Sequence, residues 1–203
     1  MIVVGITGGL ASGKTTVAGL FHECGAFVLQ ADQLARIVVA PGKTAWKEIV
    51  KTFGSRVLQA DRTLDRIALA NLVFHHPRKL AALNRIIHPR VAREQVRQTN
   101  AIARQHPNAV IIYDAALLIE ARAHERMDRI IVVTANQPIQ IQRARQRDDL
   151  TKKEALARIR AQLPLRTKRR FADYILNGTL PIARLRPQVR QLYREFLQEA
   201  AVP

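Results

Sequence analysis

Gly8-Gly9-Leu10-Ala11-Ser12-Gly13-Lys14-Thr15 fits the pattern G-x-x-x-x-G-K-[ST] at every fixed position. Residues of these types at this spacing bind phosphate. Glycines let consecutive backbone N–H groups turn inward around an anion without a Cβ clash. The positive end of a following helix then lies beneath that anion. Lys14 supplies a point charge for β- and γ-phosphates, and the Thr15 hydroxyl suits a Mg²⁺ ion. The flanks agree with this reading. Ile2-Val3-Val4-Gly5-Ile6 is a short apolar run expected to be a buried parallel strand, and Val17, Leu20 and Phe21 recur at helical spacing. Strand, glycine-rich loop and helix together make a P-loop.

Three further groups of residues could act on a bound phosphate. Ala26-Phe27-Val28-Leu29 reads as a second strand, followed closely by Asp32. In an open parallel sheet, ligands bind beyond the carboxyl ends of the strands. Asp32 there has two readings: a base for an attacking hydroxyl, or the N-cap of a helix over 33–39. Ala109-Val110-Ile111-Ile112-Tyr113 is the clearest later strand, and Asp114 ends it at the same edge, where an acidic residue helps hold Mg²⁺ directly or through water. Asp128 precedes the strand Ile130-Ile131-Val132-Val133, at the wrong edge for chemistry, and is expected to be structural. The third group is basic. Arg143, Arg145 and Arg147 lie on one helical segment, and Thr151-Lys152-Lys153-Glu154 opens the next with a capping-box pattern. Two arginine-bearing helices joined by a polar turn read as a lid whose forked guanidinium groups suit phosphoryl oxygens. Taken singly, each arginine reads better as part of a solvated face; the segment as a whole reads as the lid. Asn177-Gly178 ends a last short strand, where the turn could line a purine pocket near the P-loop.

The elements that position these groups form one α/β domain, which 203 residues can fill with a sizeable core. From Trp46 to about Gln105 the chain reads as helical, an insertion into the βα pattern. Its expected apolar stripes are Ile49, Val50 and Phe53; then Leu64, Ile67, Ala68, Leu72 and Val73; then Leu80, Leu83, Ile86 and Ile87. His88-Pro89 is expected to interrupt it, with Pro89 opening a new helix; His88 on its own is more often structural than catalytic. Val189, Leu192, Tyr193, Phe196 and Leu197 form an amphipathic closing helix. No apolar run reaches membrane-spanning length, and the N-terminus lacks a charged leader, so a soluble protein without a signal peptide is expected. Cys24 is the single cysteine, which fits a reducing cytoplasm. Thirty-three Lys and Arg against 16 Asp and Glu give a net charge of +17, a surface that attracts polyanions. Either nucleic acid or a highly phosphorylated small molecule satisfies that charge. Only 5% of residues are aromatic, too few for base-stacking platforms, and no nucleic-acid-binding motif is present.

Taken together, these residues resemble the dephospho-coenzyme A kinase family of P-loop kinases nearly end to end. The resemblance is carried by residues 5–16, Ala31-Asp32 with Leu34-Ala35-Arg36, Leu64-Asp65-Arg66, Ile87-His88-Pro89, and Asp114 ahead of Leu117-Leu118 and Glu120. Gln142-Arg143, Arg147-Asp148, Arg158, Gln162, Lys168, Ala172-Asp173 and Asn177-Gly178 complete it. Two positions depart from the family: Gln30, where a second aspartate is common, and Ala116, where proline is usual. The resemblance implies a P-loop-type parallel sheet flanked by helices. A nucleotide-binding core would span about 1–40, 108–136 and 171–203, with a helical acceptor-binding insertion over about 45–106 and a lid over about 138–170. It implies transfer of the ATP γ-phosphate to the 3′-hydroxyl of dephospho-coenzyme A in the cytoplasm, with Mg²⁺. In the roles it implies, Gly8, Gly9, Ala11, Ser12, Gly13, Lys14, Thr15, Thr16 and Asn177 bind ATP, and Thr15 and Asp114 hold the metal. Asp32 is the base, Arg143 and Arg147 close over the phosphoryl group, and Arg66, His88 and Leu117 join Asp32 around the acceptor. A kinase for another small alcohol, or a basic nucleic-acid-dependent ATPase, would share the P-loop.

Overall fold

The structure is a computed structural model and describes residues 1–74 and 76–201. Five strands form one sheet: β1 (Ile2–Gly8), β2 (Phe27–Gln30), β3 (Val110–Asp114), β4 (Arg129–Thr134) and β5 (Tyr174–Asn177). Their order is β2-β3-β1-β4-β5, and every pairing is parallel. All five carboxyl ends therefore lie on one edge. The chain leaves β1 between β3 and β4, where the sheet order reverses, and this switch point is where an open α/β sheet opens a crevice.

The chain divides into two compact units, Met1–Gln30 with Thr99–Pro203, and Ala31–Gln98. The first unit holds the sheet, α1 (Lys14–Glu23), α6 (Gln137–Asp148), α7 (Lys152–Arg160), the short α8 (Leu165–Lys168) and α9 (Ile182–Ala201). β1 and β3 are buried at every position, which explains why both read as continuous apolar runs rather than alternating ones. Their side chains pack with Val17, Phe21, Leu185, Val189 and Phe196. The rings of Phe21 and Phe196 stack 6.1 Å apart, and Tyr174 meets Phe196 edge-on at 5.4 Å. Leu197, expected on this face, is exposed instead, since its neighbour Phe196 takes the inward position. Asp128 is structural, its carboxylate accepting from the Val3 N–H at 2.7 Å.

The second unit holds α2 (Ala31–Val38), α3 (Thr44–Phe53), α4 (Arg66–Phe74) and the first part of α5 (Pro77–Gln105). Its core is Val39, Ile49, Phe53, Leu64, Leu69, Val73, Leu83 and Ile86. Two stripe residues face away from it. Ile67 is 76% exposed, because it sits two residues, some 200° of helical turn, from the buried Leu69. Leu80, in the first turn of α5, is also exposed.

Pro89 does not start a helix; it lies inside α5. A mid-helix proline removes one N–H and crowds the preceding turn. In the turn around it, Arg90 donates from Nη1 to the Ile86 carbonyl at 2.7 Å. The same guanidinium pairs with Glu48 of α3, which ties the proline turn to the unit's core.

Candidate active site

The P-loop turns on two residues in the left-handed region, Ala11 at φ 52° and Gly13 at φ 95°. Gly13 is the N-cap of α1 and offers no side chain to its first turn. The first helical bond runs from the Val17 N–H to the Gly13 carbonyl. The backbone N–H groups of residues 13–16 consequently find no acceptor among the described residues. Four orphan donors at a helix start, on a loop with alternating handedness, form an anion cradle. The Ser12 hydroxyl is buried in the same loop without a partner.

Glycine is required where this loop meets its neighbours. A Cβ on Gly178 would lie 1.9 Å from the Ser12 carbonyl oxygen, so the turn after β5 presses backbone to backbone on the P-loop. That turn is held by Asn177, whose Oδ1 accepts from the Thr179 N–H and hydroxyl. Asn177 and Gly178 thus stand beside the cradle through backbone packing.

Lys14 donates from Nζ to the Asp114 carboxylate at 2.7 Å. Both are mostly buried, at 16% and 8% exposure. β1 and β3 bring them together: the Ile6–Asp114 register places Asp114 beside the start of the loop. The segment after Asp114 is fixed from two sides. The Ala116 carbonyl accepts from the Thr7 hydroxyl at 3.1 Å and from the Lys168 ammonium at 2.6 Å. Lys168 is fully buried and also pairs with Glu120 at 2.9 Å, while Glu120 accepts from the Leu163 N–H. Burial lowers the Lys168 pKa, and Glu120 opposes that shift. Leu117 stays exposed on this anchored segment.

The residues expected in a lid divide. Arg143 donates to the Gly178 carbonyl at 2.9 Å, beside Gly13. Gln162 accepts from the Leu10 N–H at 3.0 Å, and Gln140 lies against Gly9. Arg147 instead makes a two-point contact with Asp148, both bonds 2.8 Å; this bond raises its pKa. Thr151 and Glu154 form the expected capping box. Gln140, Gln162, Glu120 and Lys168 have no local signature of these contacts, because each partner is remote in sequence.

In the second unit, Asp32 lies in the first turn of α2, two residues beyond the end of β2. Its carboxylate accepts no hydrogen bond among the described residues, so the N-cap reading finds no bond to support it. Burial lowers the Arg66 pKa, nearby Arg36 lowers it further, and Asp32 opposes both. Arg36, Arg66 and Asp32 therefore share one electrostatic neighbourhood. Burial also lowers the His88 pKa, which favours the neutral ring at pH 7; inside α5 it makes no hydrogen bond among the described residues.

No cluster of three or more His, Cys, Asp or Glu among the described residues could hold a metal alone. Mg²⁺ does not need one, since it is usually held by one or two protein oxygens plus phosphate and water. Thr15 and the buried Asp114 carboxylate supply a donor set of that kind. No helix among the described residues is long and apolar enough to cross a membrane.

The sequence model of the dephospho-CoA kinase family matches residues 2–182. A dephospho-CoA kinase of Moorella thermoacetica is 38% identical over 201 residues, covering 99% of this chain and 95% of that protein. A crystal structure from Thermus thermophilus superposes with a TM-score of 0.82 at 32% identity, over 96% of this chain and 97% of the other. Dephospho-CoA kinase from Campylobacter jejuni shares the fold, with a TM-score of 0.72 at 23% identity over 97% and 98% of the two chains. The chain belongs to the dephospho-CoA kinase family.

Proposed function

We propose that the chain transfers the γ-phosphate of ATP to the 3′-hydroxyl of dephospho-coenzyme A, the final step of coenzyme A synthesis, in the cytoplasm. The carrying observation is the row of unpartnered N–H groups over residues 13–16 beside the buried Lys14–Asp114 pair, in a chain of this family. In this reading, residues 8–16 cradle the ATP phosphates and the Asn177-Gly178 turn borders the nucleotide. Lys14 offsets charge on the transferring group. Thr15, and Asp114 directly or through water, would hold Mg²⁺, whose charge would offset that of the phosphates.

Asp32 takes the proton of the 3′-hydroxyl. A carboxylate with no hydrogen-bond donor among the described residues keeps its lone pairs for that hydroxyl. Arg143 and Arg147 face the phosphoryl oxygens when the lid, about 138–170, closes, and exclusion of water suppresses ATP hydrolysis. The insertion of about 45–106, with Arg66 and His88, and the exposed Leu117 receive the acceptor; the core is about 1–40, 108–136 and 171–203.

The test is a panel of alcohols offered with ATP and Mg²⁺ to wild type and Asp32→Asn, at two salt concentrations. Dephospho-coenzyme A should be the preferred acceptor, and Asp32→Asn should lose transfer while retaining affinity. Binding to DNA or RNA should be non-specific and fall steeply with salt. ATP hydrolysis stimulated by nucleic acid, without transfer to dephospho-coenzyme A, would overturn the reading. Full-rate transfer by Asp32→Asn would remove Asp32 as the base.

A further inference from the structure

We propose that Arg36 and Arg66 form a subsite for the diphosphate bridge of the acceptor, next to the carboxylate that serves its hydroxyl. This rests on the acceptor reading above and adds the chemical group recognised and the residues that recognise it. Asp32 and Arg36 are four residues apart in α2, hence on one face. Arg66 opens α4. Arg36 and Arg66 both line a cavity of about 520 Å³, with Val39, Leu64 and Ile67 as its apolar wall, a volume within the range of small-molecule sites.

Hydrogen bonds hold the wall of that cavity. The Asp65 N–H bonds the Val57 carbonyl at 2.8 Å, Leu58 pairs with Leu64, and the Asp61 carboxylate holds the Thr63 N–H at 2.9 Å. The Asp65 carboxylate is occupied by the Ala68 N–H at 2.9 Å. Neither Arg36 nor Arg66 has a hydrogen bond or ion pair among the described residues. Arg66 bears burial and the repulsion of Arg36, offset only partly by Asp32. The cavity's lining carboxylate, Asp65, is bonded to the Ala68 N–H, and a dianion lying between Arg36 and Arg66 would pair with both guanidinium groups. Guanidinium forks match phosphate oxygens two at a time. A ribose carrying a 5′-diphosphate presents such a dianion within a few bonds of its 3′-hydroxyl. The apolar wall, including the exposed Ile67, suits the organic chain beyond the phosphates.

The experiment measures dissociation constants of dephospho-coenzyme A by calorimetry, on the full chain saturated with a non-hydrolysable ATP analogue. Wild type, Arg36→Gln, Arg66→Gln and Lys51→Gln are compared; Lys51 is an exposed cation of α3, outside the cavity. Each arginine variant should weaken binding about tenfold or more, as loss of a charge-assisted bond predicts, with affinity for the ATP analogue unchanged. Lys51→Gln should bind as wild type does. An equal loss in Lys51→Gln would mean diffuse charge and would overturn the subsite, as would wild-type affinity in both arginine variants, or no binding by wild type. Selective loss in the arginine variants together with absence of phosphoryl transfer by wild type would uphold the subsite and refute the kinase reading. Should Arg66→Gln fail to fold, Arg36→Gln carries the test alone.

Discussion

Replacing Lys168 with methionine tests how the segment behind Asp114 is held. The ammonium has no solvent exposure and donates to the Ala116 carbonyl at 2.6 Å and to Glu120 at 2.9 Å. Removing one partner of a buried pair costs about 3–5 kcal/mol when the other charge is stranded. Stranding is incomplete here. Glu120 is 20% exposed and keeps the Leu163 N–H, and the Ala116 carbonyl keeps the Thr7 hydroxyl. Methionine also fills most of the volume without the cost of burying a charge. The expected net loss is therefore about 2 kcal/mol, which lowers Tm by roughly 4–8 °C in a domain of this size. Because burial lowers the Lys168 pKa, the unfolded chain holds that proton more tightly than the folded one. The wild-type advantage over Lys168→Met should therefore grow as pH rises from the lowered value towards the ordinary lysine value of 10.5. Turnover should fall about tenfold with the ATP KM little changed, because the segment displaced follows Asp114. Urea unfolding of Lys168→Met, Glu120→Gln and the double variant measures the coupling. Strictly additive losses, or a loss in Lys168→Met of less than about 0.5 kcal/mol, within the range of ordinary surface substitutions, would refute the reasoning.

Four other outcomes are expected. Lys14→Ala should fold and lose turnover by about 10²-fold or more, if its charge acts on the transferring group as proposed; near wild-type turnover would remove it from the site. Gly178→Ala should weaken ATP binding and lower Tm, because its Cβ meets the Ser12 carbonyl at 1.9 Å, whereas Gly9→Ala should do less, since it meets only the movable end of Gln140; equal effects on ATP affinity would contradict this. The Glu94 carboxyl, held at about 2 chiefly by the Arg97 hydrogen bond, stabilises the fold above its ordinary value of 4.5, and that stability is lost as pH falls towards 2. With Arg97 largely exposed the effect is about 0.5–1 kcal/mol, and acid titration of Glu94→Gln should lack that slope. ATP with dephospho-coenzyme A should protect the arginines of 138–170 from trypsin more than either ligand alone; identical cleavage patterns would rule out lid closure.

The strand-loop-helix of the candidate phosphate site was legible in the sequence because its determinants are contiguous: a buried run, a glycine-rich turn and a helix start, all within residues 2–21. The parallel sheet was equally legible, since strands buried on both faces leave unbroken apolar runs. Pro89 was not, because read locally a proline signals the first turn of a helix, whereas the chain carries it inside the 29-residue α5. Ile67 and Leu80 misled for a related reason: apolar type gives a helix position its affinity for a core, but neighbours decide where the core is. The contacts that fix the P-loop from behind, Gln162 to Leu10 and Lys168 to Glu120, span 152 and 48 residues. They lie among lid arginines whose type signals only solvated charge.

The two lid arginines assigned to the phosphoryl group enter the proposed reaction from different starting points. Arg143 is already directed at the Gly178 carbonyl beside Gly13. A phosphate seated on residues 13–16 therefore meets a guanidinium whose position is largely set, so little side-chain entropy is spent in recruiting it. Arg147 must first leave Asp148, which occupies Nε and one terminal nitrogen. That pair is on the surface, with Arg147 59% exposed, and such pairs are worth only about 1 kcal/mol or less. A transferring phosphoryl group in a closed, water-poor site offers a guanidinium more than that. Asp148 also faces Arg158 at 4.0 Å, so its charge retains a partner when Arg147 departs. The contact that holds Arg147 aside is thus weak enough to give way on lid closure, and its release leaves no carboxylate stranded.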